Sequence, residues 1–164
     1  MKLLSEIPIK SKNEMYNLGI ELARLISLND LITFDGELGV GKTFLCKSII
    51  NNLTTINEVI SPTFNIVQTY PLKKDEEIWH CDFYRINNIE EVEEIGVFED
   101  FKKKIILLEW PKFKLELSQF NPLSVEIEII NNNQSDLSEY RKISLSGSKK
   151  WDNKIKNLHN FLAL

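Results

Sequence analysis

The feature that most constrains the fold is a glycine-rich stretch in the first third of the chain. From Gly36 to Thr43 the sequence reads GELGVGKT, which places three of the chain's six glycines close together. An apolar run from Leu31 to Asp35 precedes this stretch, and apolar residues at helical spacing follow it from Lys42 to Leu53. A glycine-rich loop between a buried strand and a helix can bring its backbone N–H groups close to an anion.

The stretch matches G-x-x-x-x-G-K-[ST], the P-loop motif, in the strand–loop–helix context that this motif requires. Lys42 is then expected to contact the β- and γ-phosphates, and the hydroxyl group of Thr43 to join the Mg²⁺ shell. The positive end of the following helix attracts the same phosphates. The sequence therefore predicts a site for a nucleoside triphosphate and magnesium. The predicted cofactor-binding residues in this stretch are Gly36, Glu37, Leu38, Gly39, Val40, Gly41, Lys42, Thr43 and Phe44.

Two acidic residues follow apolar strands later in the chain. Asp82 comes after IWHC, and Glu109 comes after IILL. The carboxyl ends of the strands form the edge at which α/β sheets bind ligands. We predict Glu109 to hold Mg²⁺ together with Thr43, and Asp82 to orient the attacking water or contact the metal shell, as a catalytic residue alongside Lys42. Either acid could instead cap the end of its strand, and that alternative stays open.

Other polar residues lie near these acids in the sequence. The segment Ser61–Phe64, SPTF, supplies two hydroxyl groups where nucleotide-sensing loops often fall, although it could equally be the start of an ordinary strand. His80 could tune Asp82 or be a structural histidine. Arg85 could pair with Asp82 or meet a partner. Because no arginine is clearly placed as a finger, we predict slow hydrolysis by the isolated protein.

Helical and strand patterns alternate along the whole chain. The segment Ser11–Glu14 has the pattern of a capping box and precedes apolar residues at helical spacing. The strands predicted after the P-loop helix are Phe64–Tyr70, Glu77–Tyr84, Lys104–Trp110, Leu123–Ile130 and Tyr140–Ser146. A short acidic helix is predicted in IEEVEEIGVFEDF, and a closing helix is marked by Trp151, Ile155, Leu158, Phe161 and Leu162. This alternation predicts an α/β fold, a P-loop NTPase-like three-layer sandwich with a mostly parallel central sheet, as a single domain over residues 1–164.

Composition and charge argue against several kinds of partner and site. The net charge of −4 and the sequence pI of about 5.3 argue against broad direct binding of nucleic acid. The run Lys102–Lys104 is interpreted as a solvated turn before a strand. No apolar run approaches the roughly 20 residues that cross a bilayer, so we predict no membrane partner. Cys46 and Cys81 are interpreted as reduced core thiols in a cytoplasmic protein, with no zinc site.

Four motifs, in order and near the expected spacings, carry a family resemblance. GELGVGKT, VISPTFNIVQTY, HCDFYR and LLEW together resemble the bacterial tRNA threonylcarbamoyladenosine biosynthesis ATPase family, TsaE. The resemblance covers essentially the whole chain. Two positions depart from it: Phe44 stands where the family often has a second Thr, and Phe83 stands where the H-x-D-L-Y-R pattern has Leu.

The resemblance implies that the protein binds ATP and Mg²⁺ and works with the TsaB and TsaD proteins, which install a threonylcarbamoyl group on the adenosine next to the anticodon. The ATPase would support turnover of that complex and meet tRNA only indirectly through it. By the motifs, Lys42 and Thr43 contact phosphate and Mg²⁺, Glu109 is a Mg²⁺ ligand, and Asp82 is the second functional carboxylate. Trp110 lies near the nucleotide. The base is expected near the segment Ser11–Glu14, outside the four motifs, with Ser11 as the candidate contact.

Three other functions remain as alternatives. A small P-loop kinase would need an acceptor pocket and a basic lid, and no arginine-rich lid is evident. A GTPase-like switch would need N-K-x-D, but Asn153 and Lys154 are followed by Lys156 in place of the aspartate. A non-hydrolysing, ATP-dependent regulatory module could signal through the acidic helix around Glu90–Glu94, although the preferred interpretation of that helix is a solvated face.

Overall fold

A computed structural model describes residues 1–131 and 139–162, with only the backbone described at 131, 139, 157 and 159–162. The strands are β1 (Lys2–Ile9), β2 (Asp30–Asp35), β3 (Val67–Pro71), β4 (Glu77–Asp82), β5 (Lys104–Glu109), β6 (Leu123–Asn131) and β7 (Glu139–Gly147). The α-helices are α1 (Lys12–Leu25), α2 (Lys42–Leu53), α3 (Ile89–Ile95), α4 (Lys114–Leu117) and α5 (Lys149–Leu162). Single 3₁₀ turns at Phe101–Lys103 and Ser118–Phe120 complete these elements.

The strands form one sheet in the order β1-β7-β6-β2-β5-β4-β3. Its four central strands, β6, β2, β5 and β4, run parallel to one another. The outer strands β1, β7 and β3 pair in antiparallel fashion. Every residue of β5 is buried, as a continuous apolar run at the centre of a parallel sheet requires. The predicted α/β fold with a parallel central sheet is confirmed, and antiparallel strands extend it on both sides.

Helices cover both faces of the sheet and make the three layers. On one face, Leu18 of α1, Leu45 of α2 and Trp151 of α5 share a core cluster with residues of the sheet. On the other face, Val92 of α3 and Leu117 of α4 belong to a second cluster. No helix in the described part of the chain is both long and apolar enough to cross a membrane.

The contact between α1 and α2 depends on a glycine. A Cβ atom at Gly19 would lie 2.1 Å from the Oγ atom of Ser48, so only glycine allows the two helices to approach this closely. The Ser48 hydroxyl group donates a 2.8 Å hydrogen bond to the carbonyl oxygen of Tyr16, which satisfies this buried polar group within the contact. The helix that follows the P-loop is thereby packed directly against the first helix.

Two elements lie where the sequence predicted none. Strand β1 covers Lys2–Ile9, a segment for which no strand or helix was predicted. Its residues alternate, with Ile7 and Ile9 buried and Glu6 and Pro8 exposed, and it pairs with β7. Helix α4 is a single turn after Pro111. β1 is defined by its pairing with β7, a strand at the far end of the chain, whereas α4 is only one turn long.

The strand predicted over Phe64–Tyr70 begins only at Val67. Phe64 and Ile66 were predicted as strand positions, but the amide of Ile66 donates a 2.7 Å hydrogen bond to the carbonyl of Pro62 within a turn. Ile66 has a φ of 65°, which excludes it from a strand, and Phe64 is 79% exposed. The turn formed after Pro62 therefore overrides the apolar alternation.

The lysine run Lys102–Lys104 is only partly the solvated turn that was predicted. Lys102 and Lys103 are exposed, but Lys104 is buried as the first residue of β5. Its Nζ atom lies 3.5 Å from the centroid of the Trp79 ring and donates to the carbonyl oxygen of Gly96 at 3.2 Å. Burial lowers the pKa of this ammonium group. The prediction was wrong for Lys104 because a ring and two carbonyl groups replace its water.

Helix α5 is fixed to the start of β2 by an ion-pair cluster. Asp30 is buried and accepts contacts from Lys150 at 2.6 Å and Lys154 at 2.8 Å. Burial alone would raise the pKa of the Asp30 carboxyl group, but the hydrogen bonds from both lysines outweigh it and lower the pKa. Lys154, part of the incomplete N-K-x-D pattern, therefore has a structural contact. The side chains of Phe161 and Leu162, which were predicted to mark α5, lie outside the described residues.

Candidate nucleotide site

The loop between β2 and α2 adopts conformations that favour glycine. Gly36, Gly39 and Gly41 all have positive φ angles, of 137°, 80° and 114°. A Cβ atom at Gly36 would lie 2.3 Å from the carbonyl oxygen of Ile127, so glycine also allows the loop to pass next to β6. Gly41 is the N-cap of α2, and no side chain of the described residues caps the first turn of that helix. The first amides of α2 are therefore available to a ligand in the loop.

Lys42 is folded back into this loop. Its side chain is 5% exposed, and its Nζ atom donates to the carbonyl oxygens of Gly36 at 2.7 Å and Glu37 at 2.8 Å. The same atom lies 3.7 Å from the centroid of the Trp110 ring. Burial lowers the pKa of the Lys42 ammonium group, although the negative charge of Glu109 opposes part of this shift. The cation is held by neutral groups that a phosphate could replace.

A buried chain of polar side chains begins at Thr43. Its hydroxyl group donates a 2.8 Å hydrogen bond to Oε2 of Glu109, at the end of β5. The other oxygen of that carboxylate, Oε1, lies 2.8 Å from Nε2 of His80 on β4. The sequence predicted Thr43 and Glu109 as partners, and the structure brings them together. It places His80 against Glu109 rather than against Asp82, which the sequence had suggested.

Asp82 lies beside Glu109, because the two residues are paired in the parallel register of β4 and β5. The Asp82 carboxylate accepts hydrogen bonds from the Thr63 hydroxyl group at 3.1 Å and from the Tyr84 amide at 2.9 Å. The hydroxyl groups of Ser61 and Thr63 are 3.0 Å apart. The segment Ser61–Phe64 therefore reaches the acids at the carboxyl end of the sheet.

Aromatic residues border this end of the sheet. Trp110, directly after Glu109, has a φ of 58°, and its ring lies 5.0 Å from that of Tyr84. The guanidinium of Arg85 lies 5.0 Å from the centroid of the Phe64 ring. Among the described residues, no ion pair joins Arg85 to Asp82, in contrast to one of the two predictions for this arginine.

Two cavities meet at the loop. The larger has a volume of about 310 Å³ and contains Lys42, Asp82 and Glu109 among its lining residues. The smaller, of about 170 Å³, is lined by Ser11, Lys12, Met15, Gly39, Val40, Gly41, Phe44 and Arg141. Three residues, Gly39, Gly41 and Phe44, line both cavities. These shared residues place the two cavities next to each other at the P-loop.

Ser11 lies at the smaller cavity and also caps α1. Its Oγ atom accepts a hydrogen bond from the Glu14 amide at 3.1 Å. The Glu14 carboxylate accepts from the amide of Lys10 at 2.7 Å, one residue before the position expected in a capping box. Ser11 is therefore close to the loop, as predicted for a base contact, while its side chain oxygen already has a structural partner.

Two neighbours of the site were missed in the sequence. Arg141 on β7 donates from Nε to the carbonyl oxygen of Val40 at 2.8 Å. It therefore contacts the loop from a strand that is separated from β2 by β6. Cys46 lies in one buried group with His80 and Glu109, with a potential ligand atom of each within 4.8 Å of the others. Burial raises the pKa of the Cys46 thiol, and the charge of Glu109 raises it further. Neither contact has a local sequence signal, because the residues are far apart in the chain.

A family model, Threonylcarbamoyl adenosine biosynthesis protein TsaE, matches residues 9–143. This chain belongs to the TsaE family. Two curated relatives are named tRNA threonylcarbamoyladenosine biosynthesis protein TsaE. That of Rickettsia prowazekii (strain Madrid E) is 36% identical over 127 residues, which cover 77% of this chain and 88% of the relative. That of Aquifex aeolicus (strain VF5) is 33% identical over 144 residues, which cover 87% of this chain and 100% of the relative.

The fold of this TsaE-family chain also has a solved counterpart. The crystal structure of Bacillus subtilis YdiB matches it with a TM-score of 0.72, over 96% of this chain and 95% of YdiB. The sequence identity is 19%, so this likeness concerns the fold alone. The residues matched by the TsaE model include Lys42, Asp82 and Glu109, and they end inside β7.

Proposed function

We propose that this TsaE-family protein binds ATP and Mg²⁺ and hydrolyses ATP slowly on its own. The observation that carries the proposal is the convergence, at one end of the sheet, of the uncapped start of α2, the Lys42 ammonium group and two strand-end carboxylates. Uncapped helix amides and a lysine attract phosphate, while carboxylates manage metal and water. The catalytic roles go to Lys42 and Asp82.

The phosphates would lie in the 310 Å³ cavity. Lys42 would exchange the carbonyl oxygens of Gly36 and Glu37 for phosphate oxygens, which are stronger acceptors because they are charged. The base would lie in the 170 Å³ cavity near Ser11, and Trp110 would lie near the phosphates, since its ring already contacts the Lys42 ammonium group.

Thr43 and Glu109 fit Mg²⁺. Two neighbouring oxygen ligands of an octahedral Mg²⁺, with bonds of about 2.0–2.1 Å, are separated by about 2.9 Å. The Thr43 Oγ1 and Glu109 Oε2 atoms are 2.8 Å apart, and both are the hard oxygen donors that this ion prefers. When bound, Mg²⁺ would neutralise part of the charge on the phosphates. Asp82, next to Glu109, would orient the attacking water.

We further propose that the protein supports a complex of TsaB- and TsaD-like proteins in the threonylcarbamoyladenosine modification of tRNA, and that it meets the tRNA indirectly. The family names of its relatives support the pathway, and the resemblance supplies the two partners. Several apolar side chains at the larger cavity are exposed, including Leu38 at 87% and Tyr84 at 56%, and they would contact that complex. We also propose that residues 1–164 form a single domain and that the protein is cytoplasmic, as the sequence predicts.

Calorimetric titration with ATP and GTP, with and without Mg²⁺, tests the binding. We expect ATP to bind more tightly than GTP, and Mg²⁺ to tighten the binding of ATP. Hydrolysis is then measured for the isolated protein and after addition of purified TsaB- and TsaD-like proteins, and we expect the partners to raise a slow basal rate. Phosphate transfer to a small acceptor would instead support the kinase alternative, and binding without hydrolysis would support the regulatory module.

A further inference from the structure

We propose that His80 is a positioning residue that holds the Glu109 carboxylate in the orientation needed for Mg²⁺. The inference rests on the proposed function, since it concerns the same metal site. His80 is fully buried on β4, and its Nε2 atom lies 2.8 Å from Oε1 of Glu109. His80 is the first residue of the HCDFYR motif, but neither the family resemblance nor the family match assigns it a contact with Glu109.

The two oxygens of Glu109 have different partners on opposite sides. Oε1 contacts His80 in the interior, and Oε2 accepts from Thr43 at the cavity. A carboxylate held at one oxygen cannot rotate freely about its last bond, so the ring fixes the direction in which the other oxygen points. Without that contact, Glu109 is buried with one oxygen unpaired and is free to turn away from Thr43.

The chemistry of the pair sets the direction of the hydrogen bond. A carboxylate only accepts, so the Nε2 atom of His80 carries the proton that is shared with Glu109. The Nδ1 atom of His80 is buried and has no hydrogen-bond partner among the described residues. An unpaired buried nitrogen destabilises a fold, and an apolar side chain would fill the same space without it. The histidine is therefore explained by its Nε2 contact and not by packing.

The strand geometry explains how His80 reaches Glu109. Residues two apart on a strand lie on the same face, so His80 and Asp82 share one face of β4. Asp82 is paired with Glu109 in the register, and His80 is paired with Leu107, one step deeper in the sheet. β4 therefore supplies one side chain beside Glu109 at the cavity and one that contacts it from the interior.

Three variants test this role: His80→Gln, His80→Asn and His80→Leu. Glutamine can place an amide N–H near the position of Nε2, whereas the shorter asparagine cannot, and leucine has no donor. The measurement is the Mg²⁺ concentration that half-saturates binding of a non-hydrolysable ATP analogue, followed by calorimetry, with thermal unfolding of each variant as the check on folding. Binding of the analogue is also measured without metal.

We expect His80→Asn and His80→Leu to raise the required Mg²⁺ concentration by about 10–100-fold. This is the usual loss of metal affinity when a residue that hydrogen-bonds to a metal ligand is removed. His80→Gln should keep the required Mg²⁺ concentration close to that of the wild type. Binding of the analogue without metal should change less than about twofold in all three variants. A merely structural histidine would lower the unfolding temperature without separating Gln from Asn. If His80→Leu does not fold, the Gln and Asn variants, which are both polar, decide the matter: equal Mg²⁺ requirements overturn the proposal.

A double variant gives an independent check. If His80 acts through Glu109, then adding His80→Leu to Glu109→Gln should leave the Mg²⁺ requirement where Glu109→Gln alone puts it. Additive effects would overturn the inference. A wild-type protein that binds the analogue with Mg²⁺, but whose His80 variants behave normally, would overturn this inference alone. A wild-type protein with no Mg²⁺-dependent binding would overturn both the inference and the proposed function.

Discussion

The two ends of β2 carry buried charges with different kinds of partner. At its start, Asp30 is in contact with the ammonium groups of Lys150 and Lys154, and the amide of Ser27 donates to the same carboxylate. Beyond its end, the ammonium group of Lys42 is bonded to two carbonyl oxygens of the loop. Within the described residues, no carboxylate lies within ion-pair distance of Lys42.

We infer from this difference that the cluster at Asp30 is structural and that Lys42 belongs to the proposed binding site. The charge of Asp30 is neutralised inside the fold, so this end of β2 contributes stability and offers nothing to a ligand. The charge of Lys42 is neutralised only in part, through space, by carboxylates such as Glu109. A buried cation without an ion pair lowers stability, and a bound anion relieves that cost. We therefore expect changes at Lys42 to alter ATP binding and changes at Asp30 to alter the free energy of unfolding.

The largest effect is expected for Lys42→Ala, with Lys47→Ala on the same helix as the control. Loss of a charge-assisted contact to phosphate should weaken ATP binding by about 100-fold, while the control should stay within about twofold. Titration calorimetry measures both. Unfolding in urea should show little loss of stability for Lys42→Ala, because a buried unpaired cation is removed. Normal tRNA modification supported by Lys42→Ala would contradict the assignment of the site.

The next effect is expected for Asp82→Asn. This change keeps the size of the side chain but removes the negative charge that would orient the water, so hydrolysis should fall by about 30-fold. ATP affinity should change little, since Lys42 and the helix amides remain. Steady-state phosphate release at saturating ATP measures the rate. An equal fall in ATP affinity and in turnover would place Asp82 among the binding groups instead.

A smaller effect, on stability alone, is expected for Asp30→Asn. The ion pairs with Lys150 and Lys154 are lost, but both lysines are partly exposed and can turn to water, so the free energy of unfolding should fall by only about 1.5 kcal/mol. Urea unfolding at neutral pH measures this change. ATP binding should be unaffected, and a large loss of affinity would show that the two ends of β2 are coupled.

The smallest effect is the pH dependence of the difference in unfolding free energy between wild type and Asp30→Asn. The pKa of Asp30 is lowered in the folded protein, so its contribution is fully present above the unfolded value of about 3.9 and is lost as the pH falls through the lower folded value. The stability difference between wild type and Asp30→Asn should therefore be constant near neutral pH and shrink below about pH 4. A difference that stays unchanged in acid would mean that the ion pairs do not carry it.

Local sequence was sufficient for the centre of the molecule. The strand–loop–helix around GELGVGKT and the apolar runs of β2 and β5 follow from patterns of adjacent residues, and so does the meeting of Asp82 and Glu109, since parallel strands bring their carboxyl ends to one edge. These parts were predicted because each is encoded within a few residues.

Other parts depend on partners far away in the chain. β1 is a strand because β7 is beside it, and Lys104 is buried because the ring of Trp79 covers it. The contacts of His80 with Glu109 and of Arg141 with Val40 join residues on different elements. The sequence offered a residue type at each of these positions but no information on what it would meet. A turn at Pro62 likewise overrode the alternation that predicted a longer β3.

Because Gly19 allows α1 to lie directly against Ser48 of α2, the helix capped by Ser11 and the helix that begins at Lys42 are packed closely together. A nucleotide that spans the two cavities would therefore meet a fixed separation between the starts of the two helices. That separation is set by a glycine that lines neither cavity. A methyl group at this one buried position would force the helices apart. The separation between their starts would then increase without a change in any residue that lines the cavities.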